Sequence, residues 1–177
     1  MVYLRATQRA LRFLGPASPA NKPSDTALGD WFVNRFVIDR RPFLILVSSA
    51  SLLTILEPAR RVRSLPERLS DLVSRRLHRL GVADALIQGE INAMDEVRIA
   101  PTNDRSVVGT MVDFVHSLRY YATYVTDWDE SALASLEQRL ARTPCRSSRA
   151  MSEVIWPDRR AKELLRADGI TPASERG

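Results

Sequence analysis

The residues best equipped for chemistry fall in one stretch, Thr102 to Tyr120. Asp113 and His116 stand three residues apart. On a helix that spacing brings a carboxylate up to an imidazole, a pair able to orient a general base. Arg105, two turns earlier, supplies a guanidinium suited to an anion. Arg105, Gly109, Asp113, His116 and Tyr120 recur at intervals of three and four and therefore share one stripe of a helix. Gly109 sharpens the reading, because a glycine inside a helix costs about 0.5–1 kcal/mol relative to alanine. Either a neighbouring element packs tightly against it, or it floors a groove edged by Arg105, Asp113 and His116. The polar cluster Thr102-Asn103-Asp104-Arg105-Ser106 at the head of this helix offers three N-caps, Thr102, Asn103 and Asp104. Free amides and the helix dipole also attract anions there, although Asp104 would occupy or repel the same position.

Other chemistries find no pattern to carry them. There is no serine or cysteine nucleophile motif, no P-loop and no HExxH. Cys145 is the single cysteine, and His78 and His116 are far apart, so neither a metal site nor a cofactor is expected. One unpaired cysteine excludes an internal disulfide framework and suits a reducing cytoplasm. The first residues lack the apolar core of a signal peptide. The most apolar run, Phe43 to Leu56, is about 14 residues long and broken by serines and a threonine, too short to span a bilayer. A cytoplasmic protein with no membrane role is expected.

These residues must be positioned by a modest core, which 177 residues with 45% hydrophobic content can build. Val2–Thr7 reads as a strand and Gln8–Leu14 as a helical turn. Trp31–Ile38 and Phe43–Ser48 read as a hairpin joined by the four residues Asp39–Pro42, with Leu52–Leu56 as a third meander strand. Ser64 and Glu67 have capping-box spacing ahead of a helix. In that helix Leu65, Leu69, Leu72, Val73, Leu77 and Leu80 share a face, and Gly81 ends it. Shorter helices follow at 83–94, 129–141 and 158–167, with a strand at 96–100. In the 104–124 helix, Val107, Val108, Met111, Val112, Phe114, Val115, Leu118 and Ala122 form the core arc. The pattern predicts an α+β fold, a small and mainly antiparallel sheet packed against several amphipathic helices. Residues 1–142 form one domain, and 143–177 an extension with a short helix and a frayed end.

Lysine and arginine together number 26, and only Lys22 and Lys162 are lysines. The net charge of +5 is matched by one segment, Ala59 to Leu80, where seven arginines face Glu67 and Asp71. Arg60, Arg61, Arg63, Arg68, Arg75 and Arg79 form a basic patch, and Arg68, Arg75 and Arg79 share a helix stripe. Such a patch can track a nucleic-acid backbone, although it has no aromatic residue for base stacking. A solvated helix face is the competing reading, as codon bias is for the arginine excess.

Four pieces of the chain carry a resemblance: Tyr3-Leu4-Arg5-Ala6-Thr7-Gln8, Leu28-Gly29-Asp30-Trp31-Phe32-Val33-Asn34-Arg35, Thr102 to Asp113, and Arg142-Thr143-Pro144. With these the chain resembles a family of short, uncharacterised bacterial proteins, a domain of unknown function, over most of its length to about residue 165. The resemblance implies one intact domain and a special role for Asp30, Trp31, Arg35, Asn103, Arg105 and Asp113. The family pattern has an asparagine where this chain has Val112, so no asparagine role transfers.

Two functions are consistent with these residues. The first is a binding or regulatory module that meets a protein partner or an anionic ligand through a polar groove at the start of the 104–124 helix. The second is a small enzyme acting on a phosphate-bearing or nucleotide-like substrate. There Arg35 and Arg105 would hold the anion, and Asp113 or Asp30, helped by His116, would act as base. In the enzyme reading the Gly-Asp-Trp segment lies near Asn103–Asp113.

Overall fold

Every residue of β1 (Val2–Ala6) is buried, as a strand covered on both faces and flanked on both sides requires. It occupies an inner position of a five-stranded sheet of order β4-β3-β2-β1-β5. The computed structural model describes residues 1–20, 22–146 and 153–170. β1 runs parallel to β2 (Trp31–Ile38), with Leu4 opposite Trp31, and parallel to β5 (Val97–Pro101), with Ala6 opposite Pro101. The antiparallel meander is β2, β3 (Arg41–Ser48) and β4 (Thr54–Pro58). The α+β expectation holds; the sheet is mixed, its antiparallel meander joined by the two parallel pairings of β1, and so is not purely antiparallel.

The β2–β3 connection is tighter than the four residues expected. Ile38 pairs with Arg41, leaving only Asp39 and Arg40 in the turn. Both have positive φ, 50° and 62°, the conformation whose twist matches that of the flanking strands.

Strand alternation sorts the side chains into two cores. Leu4, Trp31, Val33, Leu46 and Ile55 face α1 (Gln8–Leu14), α2 (Leu65–Arg79), α3 (Asp84–Ala93) and α6 (Pro157–Ile170). Phe32, Phe36, Ile45 and Val47 face α4 (Arg105–Ala122) and α5 (Glu130–Ala141). The result is a sheet between two helical layers. Ser64 does not cap α2: it ends a 3-10 turn, Ala59–Ser64, and its hydroxyl donates to the Arg61 carbonyl at 3.2 Å. The helix expected at 158–167 extends to Ile170 and buries Ala161 and Leu165 in the first core. The expected fraying covers 168–177; residues 168–170 are helical, and 171–177 lie outside the described residues. A small hairpin, β6 (Cys145–Arg146) with β7 (Val154–Ile155), adds Ile155 to the second core. Among the described residues no helix is long and apolar enough to cross a membrane.

Two buried acids tie helices to the rest of the fold. Glu137, 1% exposed, accepts from the Leu56 amide at 2.8 Å and from Arg79 Nη2 at 2.7 Å. It also lies 3.5 Å from Arg76, itself 1% exposed, whose Nε donates to the Thr54 carbonyl at 2.9 Å. Burial pushes the Glu137 carboxyl upward, opposed by Arg76, the Leu56 amide and Arg79. Burial likewise lowers the Arg76 guanidinium. Glu90 accepts from the amides of Ala27 (2.8 Å) and Leu28 (3.2 Å), and burial pushes its carboxyl up to about 7.

Candidate functional site

Beyond the C-terminal ends of β1 and β5 the chain divides between the two faces of the sheet. After β1 it turns into α1, which packs in the first core; after β5 it turns into α4, which packs in the second. Two adjacent parallel strands whose helices leave to opposite faces part their loops, and ligands of open sheets seat at such points. The loops stay in register through the Thr102 amide, which donates to the Ala6 carbonyl at 3.3 Å. β2 runs on past β1 and brings Asn34 to the same place, where its Oδ1 accepts from the Thr7 hydroxyl (2.8 Å) and the Arg35 amide (2.9 Å). Thr7 also caps α1.

Of the three caps on offer, Asp104 is the one used. Its carboxylate accepts from the amides of Ser106 (2.8 Å) and Val107 (3.3 Å). The helix amides are therefore taken by the protein's own carboxylate, and no anion is needed there. Asn103 and Arg105 on either side are exposed, and neither side chain has a partner among the described residues. Together with exposed Gln8 and the Asn34 amide nitrogen they make this strand end rich in hydrogen-bond donors.

Asp30 reaches this region through Arg5. The Arg5 Nε donates to the Asp30 carboxylate, which also accepts from the Ser24 hydroxyl, while Arg5 Nη1 donates to the Pro101 carbonyl at 3.4 Å. Arg5 is 6% exposed and lies over the Tyr3 ring, 5.1 Å from its centroid. The Gly-Asp-Trp segment is thus tied to the strand end that precedes Asn103. Arg5, Thr7 and Asn34 were not among the candidates, although all three lie in the quoted sequence pieces. For Arg5 and Thr7 the signal was an arginine inside an apolar strand with a cap residue two positions on.

The remaining candidates separate. Gly109, Asp113, His116 and Tyr120 lie on the outward face of α4. Nothing lies within 4 Å of where a Gly109 Cβ would be, so no neighbouring element packs against it. No hydrogen bond or ion pair joins Asp113 to His116. Val112 is 44% exposed and belongs to this outward face, not to the core arc, because it is rotated about 100° from Met111. None of five surface cavities is lined by Arg105, Gly109, Asp113 or His116. The nearby Cys145 thiol is pushed up to about 11, first by burial and then by the Asp113 carboxylate, so it is no nucleophile near neutral pH.

Trp31 is fully buried in the first core, where its role is packing. Arg35 lies over the Phe13 ring, 4.9 Å from its centroid, beside a different cavity. Half of the basic patch is compensated. Arg68 pairs with Glu57, Arg75 with Glu130 (3.5 Å), and Arg79 with Glu137 and Glu130. Arg60, Arg61 and Arg63 remain exposed.

Three of the four quoted pieces meet around this strand end: Arg5 and Thr7 from the first, Asp30 and Asn34 from the second, Asn103 and Arg105 from the third. A family model, the domain of unknown function DUF6933, matches residues 3–160. The chain belongs to this family. No curated protein and no solved structure matches it. DUF6933 thus spans all four pieces and most of both cores, and the strand end where three of the pieces meet lies within the family domain.

Proposed function

We propose that this DUF6933 protein is a binding module of the bacterial cytoplasm that receives an anionic group of its partner in the crevice beyond β1 and β5. The departure of α1 and α4 to opposite faces carries the reading, because loops that part in this way form the ligand crevices of open sheets. Gln8, Asn34 and Asn103 supply neutral donors, and Arg105 supplies an uncommitted charge. The outward face of α4, with Gly109, Val112 and Tyr120, extends the surface available to a macromolecular partner. The enzyme reading lacks support: Asp113 and His116 stand unpaired on an open helix face, where neither is oriented as a base.

Amide-resolved NMR with inorganic phosphate as probe tests the proposal. Saturable shifts are expected at Gln8, Asn103 and Arg105 and at the Asn34 side-chain amide, with loss of saturation in Arg105→Ala. Shifts confined to other regions, or unchanged in the variant, would overturn it.

A further inference from the structure

The arginines beside β4 surround a concave site. A cavity of about 400 Å³ lies between β4, α2 and α5, and a second of about 370 Å³ adjoins it. Pro58, Arg60 and Trp128 line both and so form the wall they share. The two cavities differ in chemistry. The first holds Arg60, Arg61, Arg68, Arg75 and Arg79 against four carboxylates. The second is mainly apolar, floored by Phe13, Phe43 and Val62, with Arg35 and Arg41 at its edge. Trp128 packs on Phe43 with ring centroids 4.9 Å apart.

All four carboxylates of the first cavity are engaged. Glu57 pairs with Arg68, Glu130 with Arg75 and Arg79, and Glu137 with Arg76 and Arg79. Asp129 caps α5 through the Ala132 amide at 2.8 Å. Arg60 and Arg61 are left with no partner among the described residues. Arg68 Nη1 is buried and unbonded, a donor position that costs free energy until something accepts from it.

We propose that this double cavity binds a nucleoside mono- or diphosphate, its planar base against Trp128 and its phosphate held by Arg60, Arg61 and Arg68. Guanidinium forks match phosphate oxygens in pairs, and an aromatic wall suits a flat heterocycle. The cavity volumes are those of small-ligand sites. A continuous polymer backbone fits less well, since Arg75 and Arg79 are committed to Glu130 and Glu137 rather than to solvent. This site is separate from the crevice beyond β1 and β5 and does not depend on it.

Calorimetric titration of the full chain with ADP, and in parallel with adenosine and inorganic phosphate, tests the site. ADP binding below millimolar Kd is expected, with both fragments weaker by about tenfold or more. The double variant R60A/R61A and the variant Trp128→Leu should each lose at least about tenfold in ADP affinity. The arginine pair is solvent-exposed, so its removal leaves folding intact, as thermal unfolding would verify. No ADP heat from the wild type, or equal affinity in R60A/R61A, would overturn the proposal. So would tighter binding of a single-stranded oligonucleotide with steep salt dependence. The phosphate response of Gln8 and Asn103 is read separately, so failure here leaves the crevice untouched.

Discussion

Gly29 and Gly109 lie in the two most distinctive pieces of the chain, and their surroundings are opposite. At Gly29 φ is +70°, and a Cβ there would collide with Ser49 Oγ. The backbone around it is fully bonded: the Thr26 hydroxyl donates to the Gly29 carbonyl at 2.9 Å, and the Ser49 amide to the Asp30 carbonyl at 2.8 Å. Around a Cβ at Gly109 there is open space. The fold demands the first glycine and would gain from replacing the second. A glycine among polar residues therefore carries two different meanings, and only the neighbouring atoms separate them. The Gly29–Asp30 region is explained by packing. The Asn103–Gly109 region is not, and binding is proposed there for that reason.

Substitutions on the packed side should be costly and those on the open side should not. The largest loss is expected for Glu137→Ala, which leaves Arg76 buried without its ion-pair partner. A fall of about 3–5 kcal/mol in unfolding free energy is expected by chemical denaturation. Glu90 predicts a pH effect of the same interior origin. Its folded carboxyl titrates near 7 against 4.5 for an unperturbed glutamate. The folded state therefore holds the extra proton between those values. The contribution to stability is full below pH 4.5 and is lost as pH rises to about 7. Denaturation at pH 5 and pH 8 should show this slope, on the order of 2–3 kcal/mol, flattened in Glu90→Gln.

Gly29→Ala combines a left-handed φ with displacement of Ser49 and should cost about 2 kcal/mol. Gly109→Ala should stabilise by about 0.5–1 kcal/mol, raising the thermal midpoint. A loss at Gly109→Ala would erase the contrast between the two glycines.

Much of this architecture was legible because helix and strand periods are local. Leu69, Leu72, Val73 and Leu77 mark the buried face of α2, and Met111, Phe114, Val115 and Leu118 that of α4. The parallel pairing of β1 with β5 was not legible, since it joins residues some 95 positions apart and leaves no local pattern. Val112 misled because an apolar type does not fix which way a helical residue faces. Arg76 and Glu137 were readable anomalies, opposite charges each set on an apolar helix face. Each would need a buried partner, and the other supplies it. Of the nine candidates, Asn103 and Arg105 lie just beyond the end of β5, and Asp30 is tied to that end through Arg5. Trp31 belongs to the core, and Arg35 to another cavity. Side-chain bridges such as Arg5 to Asp30 and the Pro101 carbonyl depend on tertiary placement, which spacing along the chain does not encode.

The central claim is that Asn103 and Arg105 serve a bound anion rather than the fold. Thermal unfolding of the wild type and of N103A/R105A, each with and without inorganic phosphate, tests it most directly. The account predicts that without phosphate the two unfold within about 0.5 kcal/mol of each other, as exposed positions should. It predicts that phosphate raises the midpoint of the wild type by more than that of the variant, in which only the arginines of the double cavity are left to hold it, since a ligand stabilises only the state that binds it. A variant less stable without phosphate by about 2 kcal/mol, or one that responds to phosphate as the wild type does, would contradict it.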